Sequence, residues 1–197
     1  MKRILLLMVM TVAIATASHA QRLIPGQRGL QLSYIIPIST QNDNHLQTAK
    51  ALPSGGFGWA MAMTINTKRA NQWLFGLEYA KKHFAYRDIQ IPAETIGFEV
   101  GYLLNLFSDA RKNLLLNTGI TAVTGYETVN RGEKLLPDGA TLLTRDRFVY
   151  GGAYHLALDV FATDNLVFFV KGKCNVVWGS DVERFRPQIQ TGIKIHF

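Results

Sequence analysis

Gln188-Ile189-Gln190-Thr191-Gly192-Ile193-Lys194-Ile195-His196-Phe197 ends the chain. Apolar side chains fall at 189, 193, 195 and 197, with Thr191 in the same row. Polar residues or glycine fall at 188, 190, 192, 194 and 196. A period of two is strand periodicity, because successive side chains of a strand point to opposite faces. The apolar row runs to the last residue and finishes on an aromatic. A soluble strand has no use for an exposed terminal Phe. A strand whose outer face meets lipid does, since aromatics gather at the interface. An ordinary half-buried edge strand shows the same alternation, so the rest of the chain decides between them.

Seven earlier stretches repeat the pattern. Leu30, Leu32, Tyr34 and Ile36 alternate with Gln31 and Ser33. Phe57, Trp59, Met61, Met63 and Ile65 alternate with glycine, alanine, Thr64 and Asn66. Trp73, Phe75, Leu77 and Tyr79 face away from Gly76 and Glu78, and Phe98 to Leu106 from Glu99 and Gly101. Leu114 to Tyr126 is blurrier, with Asn117, Gly119 and Thr121 on one face. Tyr150, Tyr154, Leu156 and Leu158 oppose His155 and Asp159. Phe168, Val170 and Val176 oppose Lys171, Lys173 and Asn175. A soluble sandwich would bury the greasy row and expose the charges. Here the polar row is small, glycine-rich and better suited to a narrow interior. The pattern predicts an all-β fold: one eight-stranded antiparallel up-and-down β-barrel of the outer-membrane type, with lipid as its outer neighbour. A soluble lipocalin-like barrel of the same strand number is the competing architecture. In the membrane barrel, Glu78, Glu99 and Asp159 are expected to pair with Lys171, Lys173 and Lys194 as an interior charge network.

The connections favour the membrane barrel. Those near 67–71, 108–112 and 163–164 are short, whereas 39–54, 81–94, 127–146 and 179–186 read as long. Short turns alternating with long loops are the layout of outer-membrane barrels. The tail also resembles the C-terminal signal by which such barrels are recognised for insertion, with Gln190, Gly192, Ile195 and Phe197 at its positions. At the other end, Lys2 and Arg3 precede an apolar run from Ile4 to Ala17, and Ser18-His19-Ala20 offers small residues to a signal peptidase. The expected organisation is a cleaved signal peptide over 1–20 and the barrel domain over 21–197. No later apolar run reaches the roughly 18 residues of a membrane helix. Of 21 Lys and Arg, Lys2 and Arg3 leave with the signal, so 19 face 14 acidic residues, a charge of +5. The single cysteine, Cys174, cannot form an internal disulfide.

Several segments together resemble a known family. They are Asn71 to Tyr79, Ile91-Pro92, Phe107 to Lys112, Gly125 to Lys134, Leu136 to Leu142, Asp146 to Ala153 and Trp178-Gly179. In this order they resemble the TraO family of conjugal transfer proteins carried on conjugative transposons, most specifically between Gly125 and Ala153. The resemblance implies a part in DNA transfer through a type IV-like secretion apparatus, with other envelope subunits as partners. It implies no catalytic residue.

Motifs that invite sharper chemistry do not hold together. Gly55-Gly56-Phe57-Gly58 lacks the Lys-Ser or Lys-Thr of a phosphate cradle and opens a strand instead of a helix. His155 and Asp159 lie roughly 13 Å apart along a strand, and no nucleophile elbow accompanies Ser33. His45, His83, His155 and His196 lack metal-ligand spacing, so no cofactor or metal is expected. Lys68, Arg69, Arg111 and Lys112 sit in short turns without interleaved aromatics. Direct nucleic-acid binding is therefore not expected, and no small-molecule substrate suggests itself. The leading surface is the loop 127–146, where Asn130, Arg131, Glu133, Lys134, Leu136, Asp138 and Gly139 form a candidate contact loop. Two classes remain. One is a non-catalytic outer-membrane subunit of the transfer apparatus, and the other is an outer-membrane enzyme or ligand-binding barrel acting on lipid or surface substrates. Deleting Phe197 is expected to lower the amount of heat-modifiable, membrane-inserted protein in cells; unaltered insertion would contradict the reading of the tail as an insertion signal.

Overall fold

The computed structural model describes residues 23–38, 53–86, 89–110, 112–133, 141, 146–180 and 184–197. The chain forms β1 (Arg28–Pro37), β2 (Pro53–Asn66), β3 (Gln72–Tyr86), β4 (Ile89–Ser108), β5 (Leu114–Val129), β6 (Arg147–Phe161), β7 (Leu166–Trp178) and β8 (Phe185–His196). Each strand pairs antiparallel with the next, and β8 returns to β1, closing the barrel. This is the all-β, eight-stranded architecture of the outer-membrane type. The expected signal peptide, residues 1–20, lies outside the described residues.

The period-two pattern fixes which row turns inward. Gln31, Thr64, Gln72, Glu99, Asn117, His155, Lys171, Lys173 and Lys194 are all buried. The apolar rows are outside: Trp59 is 60% exposed, Ile96 62% and Ile120 70%. Exposing so many contiguous large apolar side chains to water is unfavourable, so the medium around this wall is hydrocarbon. Along β4 the outward row runs from Ile96 to Leu106. At ~3.3 Å per residue and ~40° of tilt, that row makes a band about 25 Å tall, the height of a membrane core. Aromatic contacts mark its edges. Tyr34 meets Trp59 with ring centroids 5.1 Å apart near the long-loop end, and Trp73 meets Tyr102 at 5.0 Å near the short-turn end.

Three expected boundaries are corrected. The connection read as a loop over 81–94 is mostly sheet. β3 and β4 stay paired from Gln72↔Leu103 to Tyr86↔Ile89, which leaves only residues 87 and 88 between them. Its charges interrupt the apolar pattern because this part of the ladder rises beyond the hydrocarbon, where the outer face no longer has to be greasy. The loop read as 127–146 begins later, because β5 continues to Val129 and Glu127 is a buried strand residue. Likewise Arg186, placed in the seventh connection by sequence, belongs to β8.

The β1–β8 seam depends on close backbone approach. Gly192 pairs with Ser33, and a Cβ built on Gly192 would lie 2.0 Å from the Leu32 carbonyl oxygen. Phe197 extends the seam: its N–H donates to Arg28 O at 2.9 Å, and its own carbonyl accepts from Arg28 N at 3.2 Å. Gly192→Ala is expected to reduce the yield of folded, heat-modifiable barrel on refolding. Gly172→Ala, where the nearest atom to a new Cβ is 3.9 Å away, should leave that yield unchanged.

Candidate functional site

An eight-stranded barrel has a lumen just wide enough for side chains. Isolated charges in such a space cost several kcal/mol, so opposite signs must be brought together. β3 and β7 stand on opposite walls, four strands apart in either direction. Lys173 on β7 spans that gap. Its Nζ lies 2.6 Å from Glu78 Oε2 on β3 and 2.6 Å from Glu99 Oε2 on β4. Gln188 donates to Glu78 Oε1 at 3.0 Å, and Gln190 to Glu78 Oε2 at 3.4 Å. His155 Nε2 lies 2.8 Å from the Thr121 hydroxyl and 3.6 Å from Glu99 Oε2. Room for Glu99 comes from Gly76, where a Cβ would press to 2.9 Å from the Glu99 Cγ.

A second cluster lies toward the short turns. Lys194 Nζ donates to Asp159 Oδ2 at 2.7 Å and to Gln72 Oε1 at 3.1 Å. Asn117 donates to the same Asp159 oxygen at 3.2 Å and accepts from Asn105 at 3.0 Å. Beyond it Leu115, Phe161 and Val167 close the lumen, with Leu23 and Ala70 packed against them. Toward the long loops a cavity of about 50 Å³ remains. Its lining includes Glu78, Glu99, Lys173, Asn175 and Arg186. Glu127 accepts from Arg186 and, at 2.8 Å, from Ser180 at its rim.

All six residues of the expected charge network are thus inside, but their partners are unequal. Glu78 and Glu99 share Lys173, and Asp159 takes Lys194. Lys171 joins no carboxylate ion pair among the described residues; its Nζ lies over the Phe169 ring, 5.9 Å from the centroid. The members that sequence reasoning missed are Gln72, Asn117, Thr121, Gln188 and, as a partner of Glu99, His155. Their shared inward row was visible in the alternation, but which rung meets which across the lumen was not. Ser33 is engaged elsewhere, donating to Ala60 O at 3.4 Å and Gln190 Oε1 at 3.5 Å. Among the described residues no group of His, Cys, Asp and Glu is poised to hold a metal ion.

The tail and loop residues fall in different settings. Gln190 is fully buried in the lumen, Gly192 lies on the seam, and Ile195 and Phe197 point outward, 44% and 69% exposed. In the candidate contact loop, Asn130, Arg131 and Gly132 form a 3-10 turn with positive φ throughout, at 52°, 56° and 84°. Asn130 Nδ2 donates to Glu133 O at 2.9 Å, and the Val129 N–H donates to Asp146 Oδ1 at 3.3 Å. The turn packs against β4, and Arg131 is exposed. Lys134, Leu136, Asp138 and Gly139 lie outside the described residues.

Comparison with known proteins adds what geometry alone does not give. The family model described as "Conjugative transposon protein TraO" matches residues 24–197. The chain belongs to the TraO family. No relative among curated proteins matches it. Solved structures similar to this family member include the outer membrane protein OprG from Pseudomonas aeruginosa, at 11% identity and a TM-score of 0.57 over 91% of this chain and 98% of that one. Another is Ail, the attachment invasion locus protein of Yersinia pestis, at 12% identity and a TM-score of 0.54 over 88% and 100%. Neisserial surface protein A is similar at 11% identity and a TM-score of 0.52 over 88% and 98%. At such low identities the likeness is one of fold.

The shared use of Lys173 sets an energetic expectation. Lys173→Met strands the buried Glu99 and the half-buried Glu78 and should destabilise the barrel by about 3–5 kcal/mol in chemical unfolding from detergent micelles. Glu78→Gln and Glu99→Gln added to that variant should recover much of the loss. Equal stability of wild type and Lys173→Met would show that the lysine does not hold this lumen together.

Proposed function

We propose that this chain is a non-catalytic outer-membrane subunit of a conjugative DNA-transfer apparatus of the type IV-like secretion kind, working through contact with other envelope subunits. Family membership supports the link to conjugation. The observation that carries the molecular role is the lumen crossed by Lys173 between Glu78 and Glu99. A lumen braced in this way and closed at one end by an apolar cluster gives a DNA strand no passage. Among the described residues the lumen cavity beside Glu78, Glu99 and Lys173, about 50 Å³, has room for a few waters. Small-molecule pockets are typically ~300 Å³ or more, which weighs against a substrate-processing barrel. What is left to act is the outside: the lipid-facing wall, the short turns and the loop-side rim. The short turns, with both ends of the barrel beside them, are assigned to the periplasm, and the rim bearing residues 130–146 to the cell surface. Export through the cleaved segment 1–20 belongs to the same reading.

The rim is the surface to test. Replacing residues 131–138 with a short Gly/Ser linker should leave heat-modifiable barrel in the outer membrane at wild-type level while reducing transfer frequency from donor cells. Unchanged transfer would remove this loop as a contact surface, and loss of the barrel itself would make it a structural element. Purified protein in planar bilayers should show no stepwise conductance; a steady ion-conducting state would contradict the filled-lumen reading.

A further inference from the structure

On the outer wall of β2, β3 and β4 the side chains change character from one rung to the next. Trp59, Tyr79 and Ile96 pair across the three strands, and one rung below them Met61 pairs with Leu77. These five, with Leu32 of β1, line an outward-facing groove of about 430 Å³ within the apolar band. One rung above, Phe57 pairs with Lys81, and Lys81 with Glu94. Those charges face the same side as the groove, because they are two residues on from Tyr79 and Ile96. Lys81 Nζ lies 3.0 Å from Glu94 Oε1. The Tyr79 hydroxyl also donates to Glu94. The hydrogen bond from Lys81, with its charge, holds the Glu94 carboxyl below the usual carboxylate range, so this ion pair persists at neutral pH.

A second cation arrives from the next strand. The left-handed turn Asn130–Gly132 packs against β4, and Arg131 acts electrostatically on both Tyr79 and Glu94. Lys81 stands at the upper end of the apolar groove, held there by Glu94, and Arg131 is exposed on the neighbouring turn, close enough to act on Tyr79 and Glu94 through its charge. Neighbouring Glu133 is exposed beyond the turn, where its amide donates to Asn130 O at 3.0 Å. Basic residues at the edge of the hydrocarbon, above a groove of aromatic and aliphatic side chains, match an amphiphile with an acyl chain below and an anionic phosphate above.

We infer that this groove, with Lys81 and Arg131 at its head, is a binding site for an anionic phosphorylated lipid of the leaflet on the long-loop side. The inference rests on the membrane seat proposed above. The acyl chain lies along Trp59, Met61 and Leu77, and the phosphate accepts hydrogen bonds from the ammonium and the guanidinium. Glu94 is a positioning residue, aligning Lys81 without touching the lipid. The site is one-sided: β6 and β7, on the far wall, present Tyr150 and Trp178 with stacked rings 6.4 Å apart.

Trp59 lines the groove and Trp178 lies on the opposite wall, so each reports its own lipid neighbours. The full barrel carrying Trp73→Phe and Trp178→Phe keeps Trp59 as its single tryptophan; Trp59→Phe with Trp73→Phe keeps Trp178. Each is reconstituted into phosphatidylcholine vesicles containing a minor fraction of either brominated phosphatidylglycerol or brominated phosphatidylcholine, and bromine quenching of fluorescence is measured. Two basic groups against one carboxylate amount to about a fivefold local enrichment of the anionic lipid. Quenching of Trp59 should therefore be greater with brominated phosphatidylglycerol than with brominated phosphatidylcholine at equal mole fraction, while Trp178 shows no preference. Lys81→Gln with Arg131→Gln should abolish the preference at Trp59, and Lys112→Gln, at the short-turn end, should not. Quenching of Trp59 that follows mole fraction alone, or a preference that survives the double substitution, overturns the lipid site. If neither tryptophan is quenched by any brominated lipid, the membrane seat fails instead.

Discussion

A backbone N–H in hydrocarbon has no water to bond, so a sheet is stable there only when its last strand pairs with its first. The β1–β8 seam meets that demand from Gly29↔His196 to Pro37↔Gln188. Gly192 permits the close approach at its centre, and Phe197 continues the ladder past the end of β8. Once the sheet closes on eight strands, the lumen is too narrow for anything but side chains, and alternation sends every second residue into it. The polar lumen is a consequence of closure in lipid. Hydrocarbon takes the apolar row, and the other row has only itself for company.

That constraint explains the composition of the inner row. Lysine, with its long flexible stem, reaches across a lumen that glutamate and aspartate alone cannot bridge. Lys173 therefore serves two carboxylates on the opposite side, while Lys194 serves Asp159 nearer the turns. The amides of Gln72, Asn117, Gln188 and Gln190 add hydrogen bonds to Lys194, Asp159 and Glu78, while His155 Nδ1 and Asn175 Oδ1 stay buried with no hydrogen-bond partner among the described residues. Glycine and alanine supply space, and Gly76 beneath Glu99 is the clearest case.

Much of this was legible in the chain. Phe57, Trp59, Met61 and Met63 against Ala60, Ala62 and Thr64 give strand, facing and lipid contact together, because one row is too greasy for water. The burial of Glu78, Glu99, Asp159, Lys173 and Lys194 follows from the same parity. Their pairing does not. Glu78 and Lys173 are 95 residues apart. Their meeting depends on the register of every strand between them, which alternation alone leaves free to slip by two. The β3–β4 hairpin was misread for a different reason. Lys81, Lys82, His83 and Glu94 look like loop when apolarity is the criterion for a strand, yet backbone pairing needs no apolar side chains once the ladder leaves the membrane. The three successive left-handed residues at 130–132 carry only one glycine, so nothing local announced the turn.

The extension of β3 and β4 beyond the hydrocarbon also bears on where function can reside. A lumen crossed by Lys173 and Lys194 to their carboxylates is mechanically stiff, and that stiffness is passed to whatever the strands carry above the membrane. Lys81 and Glu94 are held by fifteen paired rungs between Gln72 and Tyr86, not by a free loop. The turn at 130–132 is tied at its base by Asp146 to Val129 and lies against β4. The rim is therefore a shaped edge whose charges have fixed positions relative to the aromatic belt below. A protein that recognises partners or lipids at a membrane surface needs that fixed offset between charge and hydrocarbon, and the braced interior supplies it.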